Sequence, residues 1–250
     1  MNKIAQRIEK IKREGYALDF GEVFNSALEN YKKIAVFAGS VLLLFTFLLL
    51  IIAAFGMVKG IGIEELNSMK ENDFAVFQDP NNIYFRYLQI ASVILAVLIA
   101  PFLAAFLKMA QYASRDEEFK TAQMFSFYKW PYIKEIVLAT LVLTLLDLAV
   151  STAAVAAGAS FVGTIFKIAL ALFTMLTIPL IVFQEFTAFE AIKTSITVVL
   201  KNPLVIFALL IVGFIGSIVG LVGCIIGVFF TYPIMYSISY SLYETIFEKE

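Results

Sequence analysis

Apolar residues run through this chain in long unbroken blocks separated by shorter two-faced stretches, and the block lengths set the architecture. Ile34 to Val58 is 25 residues without a charge and Tyr87 to Leu107 is 21, where about 20 residues rising ~1.5 Å each cross a ~30 Å hydrocarbon layer. Each predicts one spanning helix. Ile136 to Gln184 carries only two charges in 49 residues, Asp147 and Lys167, with a small-residue break, "AAGASFVG", from Ala156 to Gly163. This predicts two spans joined as a hairpin. The 42 uncharged residues from Asn202 to Tyr243 would extend ~63 Å as one helix, about twice the bilayer core. They must fold back, and "GLVGCIIG" from Gly220 to Gly227 is the predicted turn. The pattern thus predicts an all-α polytopic membrane protein with six transmembrane helices. A transmembrane barrel would alternate apolar and polar positions in ~10-residue segments, and these runs are continuously apolar.

The stretches between blocks have a different period. In "EFTAFEAIKTSITVVLKNP", Glu185 to Pro203, the residues Phe186, Phe189, Ile192, Ile196 and Leu200 recur at helical spacing, opposite Glu190, Lys193, Thr194 and Thr197. This predicts an amphipathic helix lying along the membrane interface with its aromatic face in the acyl chains. Phe20, Val23, Phe24, Ala27, Leu28 and Tyr31 form a similar face, entered through "DFGE", in which Asp19 is the predicted N-cap and Glu22 follows three residues on. "EFKTAQMFSFYKW", Glu118 to Trp130, is a weaker third copy. Each copy opens with an acid and a Phe and leads into a hairpin whose second helix holds one proline: Pro101, Pro179 or Pro233. The reading is a single membrane domain over residues 1–250, made of three repeat units at about 19–113, 118–183 and 185–246. The extra length of the first unit falls in an outer loop, 59–86.

Composition fits this reading: 61% hydrophobic and 16% charged residues, against roughly 45–50% and about 25% in soluble domains. The first apolar run is longer than a signal-peptide core of about 7–15 residues and is expected to remain as an anchor. Fifteen Lys and Arg fall in the amino-terminal segment (1–33), the Lys108–Lys134 loop, Glu185–Lys201 and the tail, whereas the 59–86 loop has three against five acids. The bias places both termini in the cytoplasm. The net charge of −1 averages the two sides and gives no support for nucleic-acid binding. Lone Cys224 excludes an internal disulfide framework. In the amino-terminal "NKIAQRIEKIKREGY", Ile4, Ile8 and Ile11 line one side among basic residues, a face for the anionic inner leaflet or for a cytoplasmic partner.

"TIPLIVFQEFTAFEAIKTSITVVLKNP" resembles a pattern in bacterial six-span membrane proteins related to the membrane domain of glycerophosphoryl diester phosphodiesterases: a Pro-Leu pair ending the fourth helix, an acid, an Ala–Lys–x–Ser helix, then Lys-Asn-Pro. "LDFGEVFNSALENYKKIAVF" looks like that family's entry segment and "ASRDEEFKTAQMFSFYKW" like its central loop. The resemblance implies a bacterial inner-membrane protein and no activity, since the phosphodiesterase chemistry belongs to a separate soluble domain. Some relatives carry a beta-carotene monooxygenase label, which does not fit a chain without histidine, because such enzymes hold iron through histidines.

The lack of His and the single Cys remove imidazole bases, Ser-His-Asp arrangements and zinc-thiolate sites. Asp116, Glu117 and Glu118 read as a solvated loop before a carboxylate metal site. No catalytic residue, cofactor or metal ligand is expected, and the chain reads as no enzyme. The candidate intramembrane functional residues are Asp147 and Lys167, because a carboxylate near the centre of a span costs about 2.5–3.5 kcal/mol and so has a partner or a task. A structural pair needs the Lys167 stem to reach inward; otherwise the lysine snorkels outward. Pro101, Pro179 and Pro233 are read as helix kinks tolerated by neighbouring helices, with broken transporter helices as the alternative. Gly216 and Gly220, with Ala149, Ala153 and Ala157, offer close helix packing. Tyr236, Tyr240 and Tyr243 read as an interfacial aromatic belt. The leading reading is a scaffold or accessory subunit whose partners are the lipid bilayer and other membrane proteins. The rival is a small transporter or lipid-handling protein using Asp147 and Lys167.

Overall fold

A computed structural model describes residues 3–61, 82–223 and 226–249. Most of the 59–86 loop and Cys224 therefore lie outside the described residues. Every regular element among the described residues is helical: α1 (Lys3–Glu14), α2 (Phe20–Ile61), α3 (Ile83–Ser114), a 3-10 helix (Thr121–Tyr128), α4 (Tyr132–Ala156), α5 (Ser160–Phe173), α6 (Thr177–Gln184), α7 (Ala188–Val199), α8 (Pro203–Ile218), a second 3-10 turn (Val219–Gly223), α9 (Ile226–Thr231) and α10 (Ile234–Phe247). Five segments are long and apolar enough to cross a bilayer: Phe20–Gly56, Phe85–Ser114, Tyr132–Ala156, Ser160–Gln184 and Pro203–Val222. The protein is an integral, multi-pass membrane protein. Among the described residues no sixth such segment qualifies; the chain after Gly223 is divided between α9 and α10 at Pro233.

The first two-faced stretch is not a separate interfacial helix. It runs without a break into the first span as α2, 42 residues long, or ~63 Å. The reason is a single buried stripe, Val23, Ala27, Asn30, Ile34 and Ala38, that keeps helical spacing across Lys32 and Lys33 and packs chiefly on α10. No Gly or Pro interrupts it between Gly21 and Gly39. The N-cap is the expected one, with the Glu22 N–H donating to Asp19 Oδ1 at 2.7 Å. The central copy folds as a 3-10 helix rather than an α-helix. There the Ser126 hydroxyl donates to the Gln123 carbonyl and the Gln123 side chain accepts from the Lys120 N–H, local bonds that compete with an α ladder. The third copy is α7, with Phe189, Ile196 and Leu200 exposed while Ala188, Ala191, Ser195 and Val198 pack inward.

The core lies at one end of the bundle, the base, where α2 begins and α3 and α6 end. Val23 and Ala27, Phe106 and Met109, Leu176, Leu180 and Ile181, Val198 and Val199, and Ile238, Tyr240, Leu242, Tyr243 and Ile246 are buried there. At the other end the helices present apolar side chains outward: Phe47, Ile51 and Phe55 on α2, Ile90 and Ile94 on α3, Phe161 and Ile165 on α5, Phe214 and Ile218 on α8. Both termini close the base. Ile8 and Ile11 of α1 are buried within the protein itself, so that face contacts this chain rather than lipid or a partner. Arg7 Nε donates to the Ile246 carbonyl at 2.9 Å, the Asn202 side chain to the Tyr16 carbonyl at 3.1 Å, and the Tyr16 hydroxyl to the Val198 carbonyl at 3.2 Å. Burial pushes the Tyr16 pKa above the ordinary tyrosine value, which keeps the hydroxyl a donor.

The tyrosines of α10 form no interfacial belt. Tyr240 and Tyr243 are fully buried, and Tyr236 stacks on Phe106 at 5.3 Å between ring centroids. Tyr243 stacks on Phe183 at 4.8 Å and accepts a hydrogen bond from the Gln184 side chain. Their spacing at 236, 240 and 243 is the inward stripe of α10; the Tyr240 hydroxyl donates to Glu244 one turn on in the same helix, and the end of α6 brings Gln184 to Tyr243.

Candidate functional site

Asp147 and Lys167 meet. α4 ends at Ala156, where Gly158 takes φ +69° and the Ala159 N–H returns to the Ala154 carbonyl at 2.8 Å, a left-handed cap that needs glycine. α5 then runs back along α4, with the Cβ position of Gly163 3.3 Å from the Ser151 Cα. Two and three turns from this tip, Lys167 Nζ lies 3.5 Å from Asp147 Oδ2. The Ser151 hydroxyl donates to Asp147 Oδ1 at 3.5 Å. The Asp147 side chain is 24% exposed and that of Lys167 70%, so the ammonium reaches the carboxylate from the outer surface of the hairpin. On an apolar face such a pair cancels two charges that would each be costly alone. Ala149, Ala153 and Ala157 face outward and make no helix contact stripe.

The three prolines share one arrangement. A proline removes a helical N–H and frees a carbonyl about one turn earlier. Near Pro101, inside continuous α3, the Tyr128 hydroxyl donates to the Leu98 carbonyl at 2.8 Å. Pro179 follows a break between α5 and α6, and the Ser239 hydroxyl donates to the Met175 carbonyl at 3.2 Å. At Pro233, between α9 and α10, the Tyr31 hydroxyl donates to the Phe230 carbonyl at 3.1 Å. Burial pushes the Tyr128 pKa up, so it too remains a donor. The break before Pro179 is held by Ser195 of α7, whose hydroxyl donates to the Phe173 carbonyl at 2.8 Å and accepts from the Leu176 N–H at 3.2 Å.

Gly213 and Gly216 of α8 and Gly220 of the 3-10 turn after it lie against the returning chain. A Cβ on Gly213 would fall 2.7 Å from Met235 Sδ, one on Gly216 3.1 Å from Ile234 Cδ1, and one on Gly220 2.2 Å from the Gly227 carbonyl carbon. The Thr231 hydroxyl donates to the Ser217 carbonyl at 2.6 Å in the same register. A side chain at Gly220 would meet backbone and force the two segments apart, whereas one at Gly213 or Gly216 would displace the ends of the Met235, Ile238 or Ile234 side chains.

A feature with no counterpart in the sequence reading lies at the base. The ends of α3 and α6, the start of α4 and the residue after α10 enclose an open cavity of about 420 Å³, within the usual range for ligand clefts. Lys108, Gln111, Arg115, Tyr132, Gln184, Glu185 and Glu248 supply its polar lining. Lys108 lies inside α3, not in the loop expected to start there, because α3 continues to Ser114. Its ammonium is half-buried, donates to Gln111 Oε1 at 2.6 Å and sits over the Tyr112 and Phe183 rings at 5.9 and 5.7 Å. Arg115 pairs with Glu248 at 3.5 Å, and the Tyr132 hydroxyl donates to Glu185 Oε1 at 2.8 Å. Glu185 sits at φ +56°, the left-handed residue that ends α6. The acids after α3 are divided: Asp116 pairs with Lys33, and no metal-sized group of three or more His, Cys, Asp or Glu forms among the described residues. Compared with family models, curated proteins and solved structures, the chain matches none.

Proposed function

We propose that this chain is a non-enzymatic scaffold or accessory subunit of a bacterial inner membrane, with six spans in three hairpins and both termini cytoplasmic. Under this reading the sixth span is α9 with α10, residues 226–247 taken across the Pro233 break. The observation that carries it is the unequal build of the molecule. The base is packed like a soluble core and tied to both termini, while the opposite ends of α2, α3, α5 and α8 present apolar side chains outward. A rigid base with outward apolar staves suits a protein that organises neighbours in the bilayer. The basic residues of the amino-terminal segment and of the ends of α3 and α7 all belong to the base side, which supports the orientation. α7, with Phe189, Ile196 and Leu200 outward, then lies in the inner leaflet.

Purification in mild detergent, with mass spectrometry of co-eluting material, tests the role. A stoichiometric membrane-protein partner supports it; a chain that elutes alone with a tightly held solute contradicts it. The rival, a small transporter or lipid-handling protein, is favoured by the Asp147–Lys167 pair on an outer helix face. Asp147→Asn separates the two. A scaffold keeps its partner and loses at most stability, whereas a transporter loses flux with its fold intact.

A further inference from the structure

We propose that the base cavity binds the headgroup of a zwitterionic phospholipid, its phosphate on Lys108 and Arg115 and its primary ammonium on Glu185 and Glu248. The assignment goes beyond the scaffold role. It rests only on this end of the bundle lying at headgroup depth.

Depth is the first argument. Spans ending at Ser114 and Gln184 and one beginning at Tyr132 converge on the cavity, so its mouth is level with the boundary between hydrocarbon and water. Charge is the second. The two cations and two carboxylates in the lining balance, which disfavours a purely anionic or purely cationic ligand and suits one carrying both charges. The third is the state of the individual groups. Among the described residues no carboxylate lies within salt-bridge distance of Lys108, whose ammonium is held against two rings with only Gln111 as a hydrogen-bond acceptor. A half-buried ammonium so placed is a site for a phosphate oxygen. Arg115 and Glu248 are joined by a single 3.5 Å contact at the surface, a weak pair that opens at little cost. Glu185 lines the cavity, is exposed, and among the described residues is engaged by the Tyr132 hydroxyl alone, which leaves acceptor capacity on its carboxylate for an N–H donor. A primary ammonium donates three such bonds, whereas a quaternary ammonium donates none. The occupant is therefore a phosphoethanolamine headgroup rather than a phosphocholine.

The test uses the full chain, purified, delipidated and re-exposed to equal amounts of phosphatidylethanolamine, phosphatidylglycerol and phosphatidylcholine with identical acyl chains. Native mass spectrometry counts the retained lipid. One phosphatidylethanolamine per chain is expected, favoured about tenfold over the other two, the worth of one charge-assisted hydrogen bond. Lys108→Gln should weaken retention of both phosphatidylethanolamine and phosphatidylglycerol. Glu185→Gln keeps an acceptor for Tyr132, so its fold is preserved, and it should abolish the preference for phosphatidylethanolamine while leaving phosphatidylglycerol unchanged. Equal retention of the three lipids, or an undiminished preference in Glu185→Gln, overturns the proposal. Soluble O-phosphoethanolamine is the control for source: if it displaces the lipid at equimolar concentration, the ligand is a free phosphoester and the lipid assignment falls.

Discussion

Ser195→Ala removes one oxygen from the most economical joint in the fold. The apolar run from Ser160 to Gln184 is interrupted at residues 174–176, and both frayed ends are tied to the Ser195 hydroxyl, which is fully buried with Leu176. Alanine leaves the Leu176 N–H and the Phe173 carbonyl without that partner in a site closed to water. Hydrogen bonds between side chains inside membrane proteins average only ~0.6 kcal/mol, because alternative partners exist. Here the partners are fixed backbone groups, and each orphan costs about 1–3 kcal/mol. The two together come to about 2–6 kcal/mol, or a fall of roughly 4–24 °C in Tm for a chain of this size. Thermal unfolding in one detergent, followed by circular dichroism, reads the effect. Thr197→Ala is the matched control, since that hydroxyl is exposed and bonds only the Lys193 carbonyl of its own helix; it should move Tm by less than about 2 °C. A Ser195→Ala shift no larger than the control would refute the argument that this hydroxyl holds the break.

Other substitutions probe the contacts around the base and the last hairpin. Gly213→Leu drives a side chain into Met235 and Ile238 and should cost about 1–3 kcal/mol or more, measured as the same Tm shift; Gly56→Leu, with nothing near its Cβ position, should be tolerated. Glu135→Ala removes the carboxylate that accepts from the Ala188 N–H at 2.8 Å and so caps α7 from outside that helix. It should cost about 1 kcal/mol and speed amide exchange in the first turn of α7. Lys167→Met strands the Asp147 carboxylate on an apolar surface, so it should destabilise more than the double change Asp147→Asn with Lys167→Met, a comparison that a double-mutant cycle reads directly.

Continuous apolar runs revealed the five membrane-length helical segments, because crossing a bilayer is a matter of length and hydropathy that any window of the chain carries. The pairing of Asp147 with Lys167 was also within reach, since it depends on a tip only a few turns away and on the glycine that makes it. What lay beyond local pattern was set by distant residues. α2 continues through its two-faced stretch because α10, some two hundred residues on, covers a stripe that ignores the change in composition. The break at 174–176 sits within unbroken apolar sequence and exists because Ser195 stabilises it from another helix. Tyr240 and Tyr243 read as amphipathic belt residues, yet Glu244 and Gln184 meet their hydroxyls inside the base. The cavity joins Lys108 to Glu248 across 140 positions of chain, and no periodicity connects them.

The central claim is that the packed base and both termini lie on the cytoplasmic face, with the α4–α5 tip on the other. Single cysteines in a Cys224→Ser background test it most directly, at exposed Lys10 and Glu118 on the base and exposed Ala157 at the tip, labelled in intact cells with a membrane-impermeant maleimide. The account requires Ala157→Cys to label from outside while Lys10→Cys and Glu118→Cys label only after the membrane is opened. Labelling of all three from the same side, or of the base positions from outside, would contradict it.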